Sequence, residues 1–124
     1  MKDLKIIITT AIIFTLIDSI YLNTASNYFN KLITSIQGSK IQMDLKSAIL
    51  CYFFLVFGLY YFILKDRKPI MDAFILGLVI YMVFETTNKA ILKNWTWFTV
   101  LLDGVWGGVL FATTTYIIYK LFRM

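Results

Sequence analysis

The sequence has no histidine, one cysteine, one proline and only seven acidic residues among 124. Without histidine, the commonest metal ligand and the commonest acid/base catalyst are both missing. A lone Cys51 excludes an intramolecular disulfide, and its place inside an apolar run reads as a small buried residue. With Pro69 as the single proline, long stretches of chain are free of the strongest helix breaker. No recognisable metal-ligand spacing, cofactor motif or activated nucleophile occurs, so neither metal nor cofactor is expected.

Apolar side chains fill the space instead. Hydrophobic residues make up 60% of the chain and aromatics 18%, with a mean hydropathy of +0.76. A soluble domain is usually about 45–50% apolar. A chain this short also cannot enclose so much apolar surface within itself. Four apolar stretches stand out, at approximately residues 4–22, 45–64, 73–92 and 97–119. Each approaches or exceeds the roughly 20 residues that a helix needs to cross about 30 Å of hydrocarbon. Helices satisfy their backbone hydrogen bonds within the segment, which lipid requires. The expectation is an all-α integral membrane protein, a four-transmembrane-helix bundle of up-down topology, with one transmembrane domain over residues 1–124. The first stretch is read as a retained span rather than a cleaved signal peptide, because it contains Asp18.

The net charge of +5 comes from basic residues scattered at span ends, which suits anionic lipid headgroups and not nucleic acid. With four spans, one side carries Lys2, Lys5, Lys65, Arg67, Lys68, Lys120 and Arg123. The other carries Lys31, Lys40, Lys46, Lys89 and Lys93. Seven against five places both termini on the cytoplasmic side. Residues 23–44 read as the longest loop, with Leu32, Ile33 and Ile36 spaced for a short interfacial helix and Gly38 as its stop. Pro69 belongs just before a new helix. Trp95, Trp97, Tyr28 and Phe29 suit the aromatic belt. Asn94-Trp95-Thr96 matches the glycosylation pattern but lies too close to two spans to count.

The acids give the chain its one chemical feature. Asp18, Glu85 and Asp103 sit inside three different apolar stretches, where a carboxylate is costly and usually faces a bundle interior, a partner or a cavity. At about 1.5 Å per residue they lie roughly 6, 10 and 9 Å below the same boundary, so three segments deliver acids to one level. Lys89 follows Glu85 by four residues, the favourable order for an ion pair, and Asn88 and Tyr81 share that face. Tyr21 and Trp106 flank the other two acids. Thr87 and Asn88 offer hydrogen bonds. Gly104, Gly108 and Ala112 form a small-residue strip suited to close helix approach.

Three acids with one nearby lysine leave charge uncompensated. The pattern therefore predicts a site for a proton, a cation or a small polar ligand, with Glu85 and Asp103 as carriers and Asp18 completing the cage. Four spans seldom enclose a pathway alone, so transport implies a homo-oligomer. Two rivals remain open: an intramembrane enzyme acting on a lipid or isoprenoid, and an accessory subunit whose acids pair with a partner span. A purely structural network of the same residues is the plainer alternative.

Several stretches resemble one known family. They are Leu16-Ile17-Asp18-Ser19-Ile20-Tyr21-Leu22, Tyr28-Phe29 and Gly58-Leu59-Tyr60-Tyr61-Phe62, then Tyr81-x-x-Phe84-Glu85-Thr86-Thr87-Asn88-Lys89-Ala90, Lys93-x-Trp95 and Val100-x-x-Asp103-x-x-Trp106-Gly107. In this order they resemble the family labelled domain of unknown function 2177, small four-span membrane proteins found chiefly in bacteria. Tyr21 stands where that family commonly has Trp, and Lys89 replaces a usually uncharged residue. The resemblance implies a fold and the place of a site, not a reaction. Usage rich in Ile, Lys and Asn points to an AT-rich genome, bacterial or viral.

Overall fold

The computed structural model describes residues 2–124, and they form four long helices. These are α1 (Lys2–Gln37), α2 (Leu45–Leu59), α3 (Ile70–Ile91) and α4 (Trp97–Leu121). α2 continues through a π-helical turn at Tyr60–Leu64, where Lys65 N donates to Tyr60 O at 2.8 Å, five residues back. All four are long and apolar enough to cross a membrane. The outward side chains agree with that solvent. Phe53, Phe54 and Phe57 on α2 and Ile12, Leu16 and Ile20 on α1 are exposed.

The first helix departs from the sequence reading. Residues 23–37 are not a loop containing a separate short helix; they continue α1 without a break to a total of 36 residues. That is about 54 Å, far beyond one hydrocarbon crossing. The polar residues that suggested a loop are accommodated within the helix. Thr24, Ser26 and Ser35 each return a hydroxyl hydrogen bond to the preceding turn, onto Ile20 O, Asn23 O and Leu32 O. The helix stops where Gly38 adopts φ +79° and its N–H donates to Thr34 O at 2.9 Å.

The later boundaries move less. α3 starts three residues before the apolar run, because Pro69 O accepts from Asp72 N and Ala73 N, and Asp72 suits the positive helix start. Asn94 at φ +69° turns the short link between α3 and α4. Thr96 caps α4, its hydroxyl accepting from Thr99 N at 3.2 Å.

α3 and α4 make the most extensive helix pair. Glycines let their backbones meet: a Cβ on Gly77 would lie 2.7 Å from Phe111 Cγ, and one on Gly108 2.8 Å from Phe74 Cε2. Gly104 and Gly107 face Met82 and Tyr81 in the same way, while Ala112 is half-buried. Pairs between α1 and α4 run in opposite chain order, from Tyr28 with Thr99 to Tyr21 with Asp103 and Phe14 with Phe111. Phe14 and Phe111 are both 0% exposed, 5.5 Å apart edge to face, with Tyr52 and Tyr81 against them. In this aromatic layer, Phe14 and Phe111 lie one turn or more from Asp18 and Asp103 toward the chain termini.

Candidate functional site

Each acid meets an aromatic donor from another part of the chain. Asp18 on α1 is 6% exposed; its Oδ2 accepts from Tyr52 Oη on α2 at 2.5 Å and its Oδ1 from Trp106 Nε1 on α4 at 2.9 Å. Asp103 on α4 accepts from Tyr21 Oη on α1 at 3.0 Å. Glu85 on α3 is 1% exposed and accepts from Trp95 Nε1 at 2.9 Å, just before α4 begins. The Tyr21 and Trp106 rings stack, centroids 4.5 Å apart and planes 6° apart, so the donors to Asp18 and Asp103 brace one another. Such pairing is what makes a carboxyl tolerable away from water.

The three acids are not equivalent. Asp18 is held among Tyr52, Trp106 and the aromatic layer. Glu85 and Asp103 instead open onto a cleft of about 620 Å³ between α3, α4 and the upper half of α1. Asn23, Ser26, Asn30 and Gln37 line that cleft at steps of three, four and seven residues along α1. Phe29, Phe84 and Trp95 give it apolar walls. Glu85 and Asp103 both line this one cleft. Glu85 is bonded by the Trp95 indole, and no cationic side chain lines the cleft among the described residues. Two ionised carboxylates have no donor between them, so a bond joining them would need a proton or a cation.

Other residues singled out in the sequence lie elsewhere. Lys89 holds its ammonium 5.3 Å from the centroid of the Trp97 ring, so its i+4 spacing from Glu85 is spent on a cation–π contact. Thr87 returns its hydroxyl to Val83 O at 2.6 Å. Asn88 is half-buried near the end of α3, where its backbone carbonyl accepts from Leu92 N. None of the three lines the cleft. Tyr21 and Trp106 stand behind Asp103, bonded to carboxylates.

Sequence reasoning missed Tyr52, Trp95 and the amide stripe. Tyr52 is one aromatic in a run of them, and only its depth opposite Asp18 distinguishes it. Trp95 reads as an interface anchor until the turn at Asn94 brings it over Glu85. The stripe had a signal, the steps of three and four from Asn23 to Gln37, but it shows only once those residues are placed on a helix.

Comparison with curated proteins and with solved structures returned no match. A family model described as "Predicted membrane protein (DUF2177)" matches residues 4–120, nearly the whole chain and all three acids. With four helices long enough to span a bilayer and that match across them, the chain belongs to the DUF2177 family of membrane proteins.

Proposed function

We propose that this membrane protein binds a small ligand bearing a positive charge or several hydrogen-bond donors in the cleft between Glu85 and Asp103. One observation carries the reading: Glu85 is 1% exposed in a cleft that also holds Asp103 and, among the described residues, no cationic side chain. Burying Glu85 in a cleft shared with a second carboxyl is expensive unless something positive completes it. An ammonium, a metal cation or a proton does so, and the α1 amides add contacts for a ligand with further polar atoms. With the helices crossing up and down and both termini cytoplasmic, the cleft belongs to the outer leaflet.

Binding is favoured over conduction by a single copy. The Phe14–Phe111 layer stands between the acids and the opposite end of the bundle, so passage needs that layer to open or a path between copies. Asp18, Tyr52 and Trp106 act in this reading as a brace that holds α1, α2 and α4 in place around the cleft.

The test uses Trp95, whose indole touches Glu85. Purified protein in lipid nanodiscs, with Trp97→Phe to reduce background, is titrated with a short alkylammonium while tryptophan fluorescence is followed. A saturable change is expected, weakened about tenfold or more by Glu85→Gln or Asp103→Asn, the loss of one charge-assisted hydrogen bond. No saturable response from folded protein to ammonium, sodium or acid pH overturns the reading. Flux in proteoliposomes that vanishes in the same variants would extend it to transport.

A further inference from the structure

A second cleft lies further down the same helix. It occupies about 480 Å³ between α1 and α2, with Ala11 and Thr15 on one wall and Ile49, Tyr52 and Val56 on the other. On α1, positions 11, 15, 22, 26 and 29 follow each other by three, four and seven, so both clefts lie along one side of the helix. The α2 wall is continuous with the upper cleft too: Met43 lines the polar cleft, α2 begins at Leu45, and Ile49 lines the apolar one. Tyr52 turns its ring to the lower cleft and its hydroxyl to Asp18, which shields that acid from it.

We infer that the occupant of the polar cleft is the headgroup of an amine-bearing lipid whose acyl chain lies in the α1/α2 cleft. This rests on the reading of the Glu85–Asp103 cleft given above. Charge complementarity selects the head: buried Glu85 and half-buried Asp103 line a cleft with no cationic side chain among the described residues and accept an ammonium, while Asn23, Asn30 and Gln42 supply amide donors to phosphate or glycerol oxygens. Length selects the tail. One leaflet contributes about 15 Å of hydrocarbon, which at about 1.5 Å per residue is ten residues of α1. Counted down from Leu22, ten residues end at Ile12, between the Ala11 and Thr15 that line the apolar cleft. A soluble amine fills only the upper cleft. A lipid with an anionic head fits the lower cleft and is repelled by the upper one.

The experiment compares phosphatidylethanolamine with phosphatidylglycerol of the same chains. Full-length protein is reconstituted in equal mixtures of the two, extracted, and its retained lipids are read by native mass spectrometry. Retention of the amine lipid over the anionic one by about tenfold is expected, as for one charge-assisted hydrogen bond. Ala11→Phe, which fills the lower cleft, should abolish that preference while the alkylammonium response of Trp95 persists. Thr15→Trp, at an exposed position, is the second filling variant should Ala11→Phe not fold. Equal retention of both lipids by wild type, with the amine response intact, overturns the lipid proposal and leaves the cleft reading standing. So does an undiminished preference in both filling variants. Equal retention together with no amine response removes both.

Discussion

Tyr52→Phe tests the buried brace at Asp18 with the smallest possible change. The ring stays in place, edge-on to Phe14 at 6.0 Å, and only the hydroxyl that donates to Asp18 is lost. A hydrogen bond to a charged group contributes about 1.5–3 kcal/mol in soluble proteins, whereas interhelical bonds in membranes average about 0.6 and reach about 1.7. Asp18 belongs near the top of the membrane range. At 6% exposure little water reaches it to replace the lost donor, and its other oxygen already holds Trp106. The expected destabilisation is about 1–2 kcal/mol. In an Asp18→Leu background, where no acceptor remains, the same change should cost less than about 0.3 kcal/mol. Reversible unfolding in mixed detergent micelles, followed by circular dichroism, measures both arms of this cycle. Equal costs in the two backgrounds would refute the brace, because the hydroxyl would then be acting through something other than Asp18.

Three further outcomes follow from named contacts. Gly77→Ala should destabilise by about 1–3 kcal/mol, because its Cβ meets the Gly107 backbone. Gly104→Ala should cost less, since it meets the flexible Met82 thioether, and Gly58→Ala should be neutral or stabilising, with nothing within 4 Å. Thermal unfolding of the three should rank in that order; Gly104→Ala costing more than Gly77→Ala would contradict the packing. Trp106→Phe removes both the donor to Asp18 and part of the stack on Tyr21, so it should cost about 2–3 kcal/mol, more than Tyr52→Phe in the same unfolding assay. Thr99→Val removes the hydroxyl that Tyr28 contacts, so hydrogen exchange should quicken in residues 23–37 and stay unchanged around Phe14. A uniform increase along α1 would show that the upper half is not latched separately.

Much of the fold was legible because lipid leaves few choices. The stretch at 45–64 emerges with both boundaries intact, as α2 and its π turn, since polar residues and a basic turn bracket an uninterrupted apolar run. The upper half of α1 was hidden by composition. Asn23, Thr24 and Ser26 favour loops in general, yet no glycine or proline separates them from Leu32 and Ile33, and their hydroxyls and amides fit a helix exposed on one side. The acids were legible by cost alone, but their partners were not. Lys89 had the better spacing for Glu85, and Trp95 took the place through a left-handed turn at Asn94 that no pairwise spacing encodes. Depth along each span placed Asp18, Glu85 and Asp103 at one level. It did not separate Asp18, behind the Tyr21–Trp106 stack, from the two that face the cleft.

The wide turn at Tyr60–Leu64 sets the phase of everything upstream on α2. An α-helix advances about 100° per residue, and a π turn takes up about one residue more than an α turn, so the halves on either side are rotated by about that angle from a uniform helix. The lower half is pinned: Ile63 and Leu64 are buried, and Lys68 O accepts from Tyr119 Oη at 2.6 Å. Any rotation therefore falls on the upper half. Deleting one residue within Tyr60–Leu64 would restore α winding and keep the phase of Ile49, Tyr52 and Val56. Winding the same residues, with none deleted, as one uninterrupted α-helix would keep every backbone bond, yet turn those three away from α1. The chain would stay helical and insertable while Asp18 lost its tyrosine and the apolar cleft lost a wall. In this stretch the protein is specified by angular register rather than by hydrophobicity, and the π turn holds that register with one residue more than an α turn needs.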